Sequence, residues 1–127
     1  LLPGVSIGLG VPKFADARAM ADLGLSVAIA TDFNPGSSMA SSLPLISSLA
    51  CSYMKLSPEE AVLGFTLNAA RALAREGSIG SMAPGKQGDI ALFDMPDFRY
   101  IPYHFGGDIV EKVVKNGAIV WERVRPV

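Results

Sequence analysis

Residues 25–30 (LSVAIA) form a short apolar run with β-branched side chains, and the run stops at Thr31-Asp32-Phe33-Asn34-Pro35-Gly36-Ser37. An uninterrupted apolar run of this length, bounded by turn residues, reads as a buried strand of a parallel sheet. Asn34, Pro35 and Gly36 are turn formers, so the predicted strand ends at Asp32. A carboxylate at the C-terminal end of such a strand stands where α/β barrels and open α/β sheets carry their chemistry. Position alone leaves two roles open for Asp32, a chemical one and the capping of a turn.

The flanking pattern supports a parallel arrangement. Phe14, Ala17, Met20, Ala21 and Leu23 recur at helical spacing over residues 13–23, and Gly24 stops them. With residues 1–4 this predicts the end of one strand, a crossover helix and the next parallel strand. A second helix is predicted over 39–54, broken at Pro44, with Leu45, Ile46, Leu49 and Tyr53 on its apolar face. Ser57-Pro58-Glu59-Glu60 is a capping-box signature with proline at the first helical position. That helix is expected to reach about Arg75 and to end at Gly77. Asn68 and Arg71, three residues apart, share a face. They read as structural, Asn68 bonding a loop backbone and Arg71 tying the helix end to a carboxylate. After Gly77 the period changes. Residues 78–81, 89–94, 109–115 and 118–122 read as short strands, with a turn at 84–88 and a hairpin at Asn116-Gly117. The chain therefore divides into residues 1–77, of α/β character, and residues 78–127, of antiparallel or mixed β character.

Composition narrows the function. A net charge of −1, with lysines and arginines scattered, gives no basic patch for nucleic acid. Apolar stretches end well short of the roughly 20 residues of a membrane span. Residues 1–4 lack the charged flank of a signal peptide. The single cysteine, Cys51, excludes an intrachain disulfide and suits a reducing, cytoplasmic setting; it reads as a small buried hydrophobe on a helix. Half of the residues are hydrophobic and 18% are charged, against about a quarter charged in an ordinary soluble domain. Either the core is rich or part of the apolar surface is meant to be covered.

Four segments carry a resemblance: the strand ending in TDFNPGS, the helix SPEEAVLGFTLNAARAL, the turn and strand SMAPGKQGDIALFD, and IPYHFGGDIVEKVVKNGAIV. Together they resemble the C-terminal part of the imidazolonepropionase family, within the metal-dependent amidohydrolase superfamily. The N-A-A-R-A-L helix and the P-G-K-x-x-D pattern are shared by many amidohydrolases. T-D-x-N-P-G-S and P-Y-H-F-G are narrower. The resemblance covers nearly the whole chain and implies a C-terminal piece of a (β/α)8 barrel, its last strand or two with their helices, plus part of a small composite β domain. It implies a mononuclear Zn or Fe centre to which Asp32 contributes, and substrate or product binding by Asn34, Gly36 and Ser37. The implied reaction is hydrolysis of the ring amide of 4-imidazolone-5-propionate to N-formimidoyl-L-glutamate, a step of histidine degradation. In it Asp32 takes the proton of the attacking water and passes it to the leaving ring nitrogen.

A hydrolytic metal site needs about three protein ligands. The single histidine, His104, lies in the β region and reads as a structural or interface residue, not a ligand, and no His-x-His occurs. A whole barrel needs about 250 residues. The expectation is therefore a C-terminal fragment, inactive alone and holding no metal stably, whose partners are a small-molecule substrate and further copies of itself. Two other readings stand beside it: another cyclic-amide or amine hydrolase of the superfamily, and a non-catalytic binding or assembly module.

Overall fold

The computed structural model describes residues 1–124. Its elements follow in the order α1 (Pro3–Gly8), α2 (Ala17–Asp22), α3 (Leu43–Met54), α4 (Pro58–Phe65), α5 (Leu67–Ala72), β1 (Ile90–Phe93), α6 (Tyr100–Tyr103), β2 (Val110–Lys115) and β3 (Ala118–Glu122). None of these helices is long and apolar enough to cross a membrane.

The core forms around residues 25–30. Val27 and Ile29 are buried and pack with Ala17 of α2, Ile46, Ala50 and Met54 of α3, Leu56, and Ala61 of α4. The segment is extended but is not a strand of a sheet, contrary to the sequence expectation. The reason lies in its neighbours. Leu1 donates to Ala28 O and accepts from Ala30 N at 3.0 Å, which is a single rung of parallel pairing. On the other side the backbone is met by helices. Ile29 N donates to Gly64 O at 3.1 Å, and Asn68 Nδ2 donates to Val27 O at 3.0 Å. Gly64 permits this approach, since a Cβ there would stand 3.1 Å from Ile29 Cγ1. Asn68 thus bonds backbone as anticipated. The expected Arg71 tie to a carboxylate gives way to bonds that Arg71 donates to Ser26 Oγ and Asn68 Oδ1.

Helix ends follow local chemistry, with several corrections. Residues 13–16 stay outside α2 because Asp16 caps it, accepting from Ala19 N at 3.0 Å. Pro44 does not break a helix that began at 39. Ser42 is the cap and Pro44 sits in the first turn of α3, where its missing N–H costs nothing. Tyr53, expected on the buried face of α3, is 56% exposed and stacks on Phe14 with ring centroids 4.7 Å apart. The helix from Ser57 is interrupted at Thr66 (φ −117°, ψ −95°), and α5 ends at Ala72, before the left-handed Ala74 and not at Gly77.

The capping box at Ser57 is present with both of its bonds, Ser57 Oγ accepting from Glu60 N and Glu60 Oε2 accepting from Ser57 N. Glu60 also receives a bidentate pair from Arg18 at 2.8 and 3.0 Å. The Arg18 guanidinium and the Ser57 N–H hold the Glu60 carboxyl below its usual range. A carboxyl so lowered stabilises the fold above the unfolded-state value of about 4.3, and the contribution fades as pH falls through the folded value. Glu60→Ala is expected to cost about 1 kcal/mol near neutral pH. Denaturation midpoints at one protein concentration should show that gap narrowing below about pH 4.

The C-terminal region forms one antiparallel sheet of order β1-β2-β3. Asn116 and Gly117, both at positive φ (52° and 79°), make the tight turn between β2 and β3. Asp89 bonds the Asn116 N–H and pairs with Lys115, which ties the start of β1 to that turn. Residues 78–81 are turns, not a strand: Gly80 has φ +86°, and a Cβ there would fall 2.6 Å from the Ala70 Cβ. P-Y-H-F lies in α6 and the residues after it, not in a strand. Its buried residues Ile101 and Pro102 set the helix against the body of the protein.

Candidate active site

The loop after residue 30 is held by a dense set of side-chain and backbone hydrogen bonds. Asp32 takes the left-handed conformation (φ +48°), an unusual choice for a residue other than glycine, asparagine or aspartate. The backbone then turns back on itself. Asn34 and Ser38 exchange two backbone hydrogen bonds, of 2.8 and 3.2 Å, as an isolated antiparallel bridge.

Inside that loop, Asn34 uses its whole amide. Its Oδ1 accepts from Gly36 N at 2.8 Å and from Ser37 N at 3.0 Å. Its Nδ2 donates to Asp32 O at 2.6 Å, Asp32 Oδ2 at 3.2 Å and Ser37 Oγ at 2.8 Å. Ser37 Oγ donates to Asp32 Oδ2 at 3.2 Å. Asp32, Asn34, Gly36 and Ser37, singled out from the sequence, therefore stand together, three side chains and a glycine on one exposed turn. Both side-chain bonds to the Asp32 carboxylate go to Oδ2, and among the described residues no side chain bonds Oδ1 of this exposed residue. Gly36 keeps this surface low, since a Cβ there would stand 3.1 Å from Asn34 Oδ1.

Ser38 escaped the sequence reading. It is only 4% exposed, and its Oγ donates to Thr31 O at 3.1 Å, closing the base of the loop. No sequence pattern marks it, because the bond spans seven residues and helix α1, far earlier in the chain, packs against it. Residues 1–4, expected to end a strand, instead lead into helix α1 at Pro3, which the sequence reading did not anticipate. Its Gly4 and Gly8, one turn apart, lie against the loop, and their four-residue spacing was the available signal.

Asp32 offers an oxygen suited to a hard or borderline cation. Among the described residues, no three His, Cys, Asp or Glu side chains gather in a group able to hold an ion. The donor set fits one ligand of a metal site and not a whole one. His104 is far along the chain and exposed, stacked on Tyr100 with ring centroids 5.3 Å apart. Cys51 is half-buried, and burial, followed by the Glu59 and Glu60 charges, pushes its thiol up to about 11. It is a poor nucleophile at neutral pH.

The chain is 50% identical over 122 residues to the imidazolonepropionase of Alkaliphilus oremlandii, an alignment covering 96% of this chain and 29% of that protein. It is 47% identical over 120 residues to the imidazolonepropionase of Geobacillus kaustophilus, covering 94% of this chain and 28% of that one. The chain thus spans under a third of the length of these relatives. Among solved structures, an adenosine deaminase from Xanthomonas campestris with bound zinc superposes with a TM-score of 0.82 at 24% identity, over 93% of this chain and 30% of that one. Escherichia coli guanine deaminase superposes with a TM-score of 0.77 at 21% identity, over 98% and 34%. At those identities the likeness is one of fold, shared over about a third of each larger protein. The amidohydrolase family profile matches residues 6–120, nearly the whole chain, and the chain belongs to the amidohydrolase family.

Proposed function

We propose that this chain is the C-terminal part of an imidazolonepropionase, and that it supplies the last strand position of a (β/α)8 barrel and strands of a small composite β domain. One observation carries the reading: Asp32, Asn34 and Ser37 converge on one turn at the end of the central extended segment, in a chain half identical to enzymes of that name. The activity belongs to the whole enzyme, acting in a reducing cytoplasm on 4-imidazolone-5-propionate.

A mononuclear Zn or Fe ion, when bound, would polarise the ring carbonyl and make water a nucleophile near neutral pH. Asp32 would be one of its ligands, through Oδ1, which the bonds to Asn34 and Ser37 leave unengaged. The other ligands would come from outside this chain. Asp32 then does the proton work. It accepts the proton of the water that adds to the carbonyl carbon, and it delivers that proton to the ring nitrogen as the carbon–nitrogen bond breaks. Asn34 holds Asp32 and Ser37 in register. Ser37 and the low surface at Gly36 face the substrate.

A chimera tests this. Residues 1–127 would replace the corresponding C-terminal segment of the Geobacillus kaustophilus enzyme. The chimera should hydrolyse 4-imidazolone-5-propionate, and the isolated 127-residue chain should not, with or without added Zn or Fe. A folded, metal-loaded chimera inactive on this compound but active on another cyclic amide or amine would replace the reading by a different amidohydrolase. Turnover by the isolated chain, lost in Asp32→Ala, would overturn the division of labour.

A further inference from the structure

We propose that Gly4 and Gly8 of α1 are positioning residues for the Asp32 loop: they exist to let that loop seat directly on the helix backbone, and their lack of side chains sets where Asp32 stands. The proposal rests on the hydrolase reading above for its catalytic consequence, but not for its geometry.

Helix α1 has six residues and two of them are glycine. Glycine is among the poorest helix formers, so a short helix gains by replacing it unless something forbids the replacement. Conformation does not forbid it. Neither Gly4 nor Gly8 has a positive φ, unlike Gly10 (+64°) and Gly24 (+76°). Space does. A Cβ on Gly8 would lie 2.0 Å from the carbonyl oxygen of Ser37 and 3.1 Å from its carbonyl carbon. Both atoms are backbone, so no rotamer change relieves the overlap; the loop or the helix itself has to move. A Cβ on Gly4 would lie 2.8 Å from Ser38 Oγ and 2.9 Å from Ile46 Cδ1. Those are side-chain atoms with some freedom to yield.

The two glycines act on connected parts of the loop. Gly8 bears on Ser37, whose Oγ holds Asp32 Oδ2. Gly4 bears on Ser38, whose Oγ holds the carbonyl of Thr31, the residue before Asp32. The helix is itself fixed beside the loop. It begins two residues after Leu1, which pairs with the 28–30 backbone. A methyl group on Gly8 therefore displaces Ser37 and, through it, the carboxylate. Misplacement of a reacting group by about 1 Å can cost 10²-fold in rate.

The experiment uses the chimera with Gly8→Ala and Gly4→Ala. The controls are Gly77→Ala and Gly106→Ala, where a Cβ would meet nothing within 4 Å. Gly8→Ala is expected to lower kcat per folded, metal-loaded enzyme by roughly 10²-fold, Gly4→Ala by less, and the controls by less than two-fold. Hydrogen exchange supplies the readout independent of activity. The Asn34 and Ser38 amides, which close the loop, should exchange at least ten-fold faster in Gly8→Ala, with those of β2 and β3 unchanged. Unchanged exchange at Asn34 and Ser38 overturns the proposal. So does a kcat per folded, metal-loaded enzyme within two-fold of the parent. Where Gly8→Ala does not fold, the same two readouts on Gly4→Ala decide. If the parent chimera lacks the proposed activity, the exchange result still stands or falls by itself, so the two failures are separable.

Discussion

Asp32→Asn in an enzyme carrying this chain is expected to lower kcat at least about 10³-fold, since an acid–base group alone typically contributes 10²–10⁴-fold and loss of an anionic ligand adds to that. The geometry makes this a clean substitution. Asp32 Oδ2 already accepts from Asn34 Nδ2 and Ser37 Oγ, so an amide oxygen in that position keeps both bonds. The amide nitrogen then takes the place of Oδ1. The loop keeps its shape, while the atom at the Oδ1 position changes from an anionic acceptor to a neutral donor. Such an atom neither binds a cation nor takes a proton. Ser37→Ala leaves the carboxylate in place with one donor fewer, and its effect should be milder and mainly on KM. Steady-state kinetics with metal analysis of each variant make the comparison. Near-normal kcat with normal metal content in Asp32→Asn would remove Asp32 from the mechanism.

What could be read from the sequence was what is decided locally. The Asn116-Gly117 turn and the capping box at Ser57 depend on residues within four positions of one another, and both stand as read. Asp32, Asn34, Gly36 and Ser37 are contiguous for the same reason, and a turn of that composition closes on itself. The misreadings fall where distant residues decide. Residues 25–30 have strand composition, but their backbone is met by Leu1 and by α4 and α5, not by a ladder. Residues 78–81 alternate like a strand, but Gly80 is tucked beneath Ala70. Pro44 was read by its rule for helix interiors, when Ser42 places it in a first turn. Gly4 and Gly8 meet the loop from about thirty residues away, and Ser38 closes it across seven, where no local pattern reaches. Local rules identify the atoms that do chemistry more readily than the atoms that hold them in place.

As an isolated polypeptide, the chain should associate or precipitate over a concentration series, and not behave as a monomer. Its accessible surface is 7922 Å², whereas a compact monomer of this mass would expose about 6,450 Å². The excess, roughly 1,500 Å², is comparable to what a stable protein–protein interface buries in all. Much of it is apolar. A concavity of about 880 Å³ opens between α4 and α5 on one side and β1 and β2 on the other, and Phe65, Leu73, Ile90 and Phe93 line it. Among the described residues, strand β3 pairs on one side, with β2, and presents Ile119 at 59% and Trp121 at 42% exposure. An open edge with apolar side chains invites a further strand. If the chain serves within a larger barrel enzyme, these surfaces are the ones the rest of that enzyme covers, and association should disappear in the chimera. Sedimentation velocity of both proteins tests the two halves of the prediction together. A monomeric isolated chain that unfolds cooperatively at every concentration would show that its exposed apolar surface needs no cover. Association persisting unchanged in the chimera would place the sticky surface outside the barrel contact.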